Sequence, residues 1–137
     1  MNTRNLAVAY LMLAAMLLGA CAPSVPANSP DEFAGRWTGA MNYTHYPDAN
    51  EAVVVTIPKG CAVGEVCGEI ENTTKDCTWN MKLASVTDDV FWYSLSETTS
   101  GDCEAEGEGT LFLRPDGNLF REHKAGELVA VGVLYQK

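Results

Sequence analysis

An all-β fold is predicted for residues 33–137, on three observations. Apolar and polar residues alternate with a period of two over most of this stretch, turn residues interrupt the alternation at short intervals, and no segment keeps a helical period. The first strand is expected over residues 35–45, with Trp37, Gly39, Met41 and Tyr43 on one face. Pro47-Asp48-Ala49-Asn50 reads as a turn, and residues 52–57 form a β-branched second strand stopped by Pro58-Lys59-Gly60. The third strand is expected over residues 63–72. The fourth, residues 77–86, sets Cys77, Trp79, Met81 and Leu83 on one face. Asp88-Asp89 turns the chain into the fifth, residues 90–98, with Phe91, Tyr93 and Leu95 together. Residues 98–102 read as loop and residues 103–114 as the sixth strand, on which Glu104, Glu106 and Glu108 share an outer, solvated face. Pro115-Asp116-Gly117-Asn118 is a hairpin signal, residues 119–123 form a short seventh strand, and residues 127–136 form the eighth.

Every connection is short, which favours antiparallel neighbours. Eight antiparallel strands with one apolar face close naturally into an up-and-down barrel, because closure removes exposed edges. A two-sheet β-sandwich is the alternative architecture.

Residues 1–20 read as a signal peptide. One basic residue, Arg4, precedes an apolar run of 15 residues from Leu6 to Ala20. About 20 are needed to span a bilayer, so the run is short for a transmembrane helix. It ends in Leu18-Gly19-Ala20-Cys21, which resembles the lipobox of bacterial lipoproteins. The resemblance implies cleavage before Cys21 and diacylglycerol or palmitate on its thiol, giving lasting membrane attachment. The expected location is the cell envelope, on the outer side of the cytoplasmic membrane or on the outer membrane. Ala22 stands where an Asp would mark inner-membrane retention. Residues 21–32 form the lipidated N-terminus and a Pro-rich tether, in which three prolines within ten residues argue against helix and sheet. Residues 33–137 form the domain.

The chain has 9 basic and 18 acidic residues, a net charge of −9. Loss of residues 1–20 removes one basic residue and leaves −10. That sign argues against nucleic acid and against electrostatic attraction to anionic lipid. Beyond Cys21, four cysteines remain: Cys61, Cys67, Cys77 and Cys103. An even count in an exported domain points to two disulfides, with three possible pairings. Cys61–Cys67 and Cys77–Cys103 are favoured. Cys77 and Cys103 begin strands expected at the same end of the barrel, and Cys61 and Cys67 flank a local loop. No Cys-x-x-Cys knuckle or neighbouring His supports zinc.

Gly35-Arg36-Trp37-Thr38-Gly39 resembles the Gly-x-Trp start of lipocalin-type and avidin-type barrels, in which the Trp plugs the base. The last strand lacks the basic residue that covers it in lipocalins. A wider resemblance is to small extracytoplasmic β domains of bacterial lipoproteins, similar to domains outside the membrane on some bacterial Ser/Thr kinases. Its marks are Gly35-x-Trp37-x-Gly39, Val53-Val54-Val55-Thr56-Ile57, Gly64, Cys77 before Trp79-Asn80-Met81-Lys82-Leu83, Glu97 before Cys103, Gly109-Thr110-Leu111-Phe112-Leu113, Asp116-Gly117 and Gly132. It implies a calycin-like accessory or sensing module without known catalysis.

No Gly-x-Ser-x-Gly, His-Glu-x-x-His, P-loop or Rossmann motif occurs. The chain is therefore read as a non-enzyme with no cofactor and no metal site. The candidate ligand-binding residues are the inward aromatics Trp37, Tyr43, Trp79, Phe91 and Tyr93, with His45 at a barrel mouth. His123, among charged neighbours, is expected in solvent. The expected function is a membrane-anchored binding or accessory module for a protein or envelope component, monomeric and without nucleic acid. A calycin-like small-ligand carrier and an inhibitor of an extracellular hydrolase are the alternatives. A cavity of about 300 Å³ or more lined by these aromatics favours the carrier, and a filled interior with an exposed apolar patch favours the module for a macromolecular partner.

Overall fold

The computed structural model describes residues 29–137. The signal peptide, Cys21 and most of the tether lie outside the described residues. The domain is all-β: eight antiparallel strands form a closed ring in chain order, with one short helical turn before them. The strands are β1 (Gly35–Tyr43), β2 (Tyr46–Ile57), β3 (Val66–Asn72), β4 (Cys77–Thr87), β5 (Val90–Ser100), β6 (Glu108–Leu113), β7 (Leu119–Ala125) and β8 (Leu128–Gln136). Each pairs with the next, and β1 pairs with β8 through Trp37–Gln136, Gly39–Leu134 and Asn42–Val131. This last ladder closes the ring.

Closure imposes one parity on each strand, so alternate residues turn into a shared interior. Trp37 and Met41 of β1, Val53, Val55 and Ile57 of β2, Met81 and Leu83 of β4, and Phe91 and Tyr93 of β5 are all buried. The expected faces of β1, β4 and β5 are those observed. Phe33 joins them from the 3₁₀ turn Pro30–Phe33, packing on Phe91 with ring centroids 5.4 Å apart. Trp37 Nε1 donates to the Phe33 carbonyl oxygen at 2.9 Å. This turn plugs the end of the ring at which β1 begins.

Several expectations need correction. The prolines were expected to exclude helix through residue 31, yet Pro30 opens a 3₁₀ turn capped by Ser29. Pro is tolerated there because the first turn has no use for its missing N–H. Pro47-Asp48-Ala49-Asn50 is not the turn between the first two strands; these residues lie within β2. Asn42 pairs with Asn50 but Tyr43 pairs with Tyr46, so residues 47–49 bulge where β2 has only β1 as a neighbour. The third strand begins at Val66 rather than 63, and the sixth begins at Glu108 rather than 103.

Cys77 and Cys103 are disulfide-bonded, with Cα atoms 6.2 Å apart. The expected second bridge is absent: Cys61 and Cys67 are free thiols. Each thiol also meets a backbone carbonyl, Cys61 that of Pro58 and Cys67 that of Ala62, and the two side chains lie within hydrogen-bond reach of each other. Burial pushes the Cys67 thiol up to about 12, so it stays protonated and packs as an apolar side chain.

One close approach carries over to the open end of the ring. Tyr93 pairs with Gly109 of β6, and a methyl group on Gly109 would strike the Tyr93 ring and the Glu122 carbonyl oxygen. The missing side chain lets the phenol lie across β6 toward β7. Gly109→Ala is expected to destabilise the domain by about 1–3 kcal/mol, as overpacking does. Urea melts followed by circular dichroism measure it; an unchanged midpoint would show that Tyr93 has room to move.

Candidate functional site

At the end opposite the Phe33 plug the interior is not filled. A cavity of about 200 Å³ opens there. Its apolar wall includes Met41, Val53, Ile70, Leu95 and Ala130, and Trp79 and Tyr43 also line it. The polar groups on its wall form two separate clusters with different charge balance.

The first cluster is self-neutralising. Glu51 of β2 accepts from Lys75 Nζ at 2.6 Å and from Asn72 Nδ2 at 2.6 Å. Lys75 also lies 3.3 Å from Tyr43 Oη. Asn72 is buried at the end of β3, where its Oδ1 accepts from the backbone N–H groups of Thr74 and Lys75. That Asx-type turn brings Lys75 back over Glu51. Burial pushes the Glu51 carboxyl up, but hydrogen bonds from Lys75 and Tyr43 outweigh it and hold the group below its ordinary value. The hydrogen bond to Glu51 holds the Lys75 ammonium above its ordinary value.

The second cluster descends β7. Leu119, Arg121, His123 and Ala125 share the inward parity of that strand, since Leu119 is fully buried. Arg121 is only 5% exposed. Its Nε donates to Tyr93 Oη at 2.8 Å. Tyr93 Oη lies 3.3 Å from His123 Nδ1, and His123 Nε2 lies 3.1 Å from the Glu106 carbonyl oxygen. A carbonyl can only accept, so Nε2 carries the ring hydrogen and Nδ1 accepts from the Tyr93 hydroxyl. Donation therefore runs in one direction, from Arg121 through Tyr93 and His123 to residue 106. The Tyr93 and His123 rings stack with planes 11° apart. Burial and the adjacent Arg121 charge push His123 down to about 4, so the imidazole is neutral at neutral pH. Burial raises the Tyr93 hydroxyl above its ordinary value.

Residues 103–107 cross the mouth of the cavity as an extended segment rather than as strand. The segment is fastened by the disulfide at Cys103, by Trp79 Nε1 donating to the Glu104 carbonyl at 3.0 Å, and by Leu95 N–H donating to the Gly107 carbonyl at 3.1 Å. Glu104, Glu106 and Glu108 are all exposed, as expected, but only the last belongs to a strand. Glu104 and Glu106 edge the cavity. A hydrogen bond shared with Glu104 holds the Glu106 carboxyl above its ordinary value.

Of the sequence-derived candidates, Tyr43 and Trp79 line the cavity, and Tyr93 anchors Arg121 behind its wall. Trp37 and Phe91 belong to the core at the plugged end. His45 is exposed in the turn between β1 and β2 and does not line the cavity. His123 was expected in solvent and instead turns inward, because its parity is that of Leu119. Comparison with known protein families, with curated proteins and with solved structures finds no match.

The His123 environment predicts a pH dependence. The unfolded imidazole titrates near 6.5 and the folded one at about 4. Between those values the unfolded chain binds a proton that the folded chain does not. Stability therefore falls as pH drops from 6.5 to 4, by about 3 kcal/mol, and this contribution levels off below. Urea melts across that window should show a steeper slope for the native protein than for His123→Asn. Equal slopes would place His123 in solvent.

Proposed function

We propose that the chain is an extracytoplasmic, lipid-anchored binding module whose ligand is a small molecule held in the cavity at the open end of the ring. The observation that carries this reading is the pairing of a fastened mouth with an unfilled, part-polar interior. The plugged end is filled by the buried side chains of Phe33, Trp37, Leu83 and Phe91, so the open space lies toward the other end. Ligand sites combine apolar walls with a few placed polar groups, and here Arg121, the Glu51–Lys75 pair and the Trp79 ring meet that description. The volume of about 200 Å³ is below the roughly 300 Å³ expected of a carrier for drug-sized ligands, which restricts the ligand to a small metabolite. In outline this is a calycin-like small-ligand carrier.

The Leu18-Gly19-Ala20-Cys21 motif supports attachment through a lipid on Cys21. The described chain enters the ring at the plugged end, away from the cavity mouth, which supports attachment through the N-terminal side. Such an arrangement leaves the mouth free to exchange ligand with the envelope space. The reading requires no catalytic group.

A macromolecular partner is the second reading. Trp92 of β5 and Phe112 of β6 are exposed, at 47% and 38%.

NMR titration of the full-length mature protein with uncharged and charged fragments the size of benzoate discriminates between the two. Shifts are expected at Met41, Trp79, Leu95 and Ala130, and they should vanish in Ala130→Trp, which fills the space. Shifts confined to Trp92 and Phe112 would transfer the binding role to the outer face and overturn the cavity reading.

A further inference from the structure

The two polar clusters differ in a way that assigns a ligand class. Every charge in the first is matched, since Glu51 faces Lys75 at 2.6 Å. Arg121 is not matched. Among the described residues no carboxylate lies within ion-pair distance of its guanidinium, and its one hydrogen bond is the Nε donation to neutral Tyr93. A guanidinium has five N–H donors, so four remain on the two Nη nitrogens. No buried side-chain nitrogen or oxygen is sealed off without a partner, and Arg121 lines the cavity. The Nη donors are therefore directed at the open space. A guanidinium held 95% buried beside a void, hydrogen-bonded to a phenol whose ring it also faces and with no carboxylate among the described residues to pair with it, is a cation awaiting a counter-charge.

We infer that the cavity takes a small monocarboxylate, with its carboxylate in the fork of Arg121 and its apolar body against Met41, Val53, Ile70 and Leu95. This rests on the small-ligand reading and makes it specific. Three properties select that class. The planar fork matches the two oxygens of a carboxylate, giving paired charge-assisted hydrogen bonds. The net charge of −9, with Glu104 and Glu106 at the rim, disfavours phosphates and other multiply charged anions. A cavity of about 200 Å³ with an apolar wall leaves room for a short chain or a single ring beyond the carboxylate. Tyr93 and His123 act as positioning residues. Tyr93 takes Nε and fixes the plane of the fork, and the neutral Nε2–H tautomer of His123 keeps the Tyr93 oxygen free to accept from Arg121.

Calorimetry on the full-length mature protein in detergent tests this with benzoate and hexanoate, each beside its amide and its amine. The carboxylates should bind at least about tenfold tighter than the amides, the difference expected for hydrogen bonds to a charged group. Arg121→Met should erase that preference, and Arg121→Lys should keep the charge but lose the fork, retaining only part of it. Circular dichroism establishes that each variant is folded; if Arg121→Met is not, Arg121→Lys and the ligand series decide. Amides or amines binding as tightly as the acids would overturn the carboxylate assignment and leave the small-ligand site standing. Failure of all six compounds to bind would overturn both.

Discussion

The β1–β8 ladder is the contact on which the rest of the structure depends. Without it the eight strands would be a meander with two exposed edges, and neither face would be committed to an interior. With it, every strand must bury one parity and expose the other. The consequence differs between the two ends. At the end where the chain enters, the inward positions are Trp37, Ile57, Leu83 and Phe91, and Phe33 closes over them. At the other end the same parity turns Glu51, Asn72, Arg121 and His123 inward, and no apolar plug covers them. The open end is thus a direct product of closure acting on polar residues at inward positions.

Buried polar groups are tolerated only where they are satisfied, and the two walls of the cavity meet this requirement differently. Around Glu51 the charges cancel within the protein. Along β7 the donors are arranged in series, and the series begins at a cation with no anion. That asymmetry gives the cavity a polarity that neither its volume nor the net charge of the chain reveals. The Cys77–Cys103 bridge serves the same end of the ring. In the chain-entropy model a loop of this length contributes about 3.5 kcal/mol. Its placement fastens the 103–107 segment, whose Glu106 carbonyl receives the last hydrogen bond of the series.

Much of the fold was legible from alternation, because a period of two is what a strand with one buried face requires. The order of the eight strands and the inward faces of β1, β4 and β5 follow from it. The errors lie where another constraint outweighs local pattern. Pro47 reads as a turn, but a bulge at a free edge accommodates it. Cys103 to Gly107 alternates like a strand, yet the disulfide and the Trp79 contact draw it across the mouth. Cys61 and Cys67 do meet across their local loop, but as free thiols in hydrogen-bond contact rather than as a bridge. Arg121 and His123 were the costliest omission. The signal was present, since Leu119, Arg121, His123 and Ala125 alternate with Phe120, Glu122 and Lys124. Charge-bearing residues on a short strand read as solvated, and Phe120 competes with Leu119 for the inward face. Only the closed ring decides between the two parities.

The closing ladder is therefore the feature to measure. Nuclear Overhauser contacts between backbone protons of Thr38 and Tyr135, and of Asn42 and Val131, report it directly. The ring predicts both contacts, together with slow hydrogen exchange for the bonded amides of β1 and β8. Their absence, with β1 and β8 each exchanging rapidly as edge strands, would mean an open sheet or a sandwich. The inward placement of Arg121 would then have no basis.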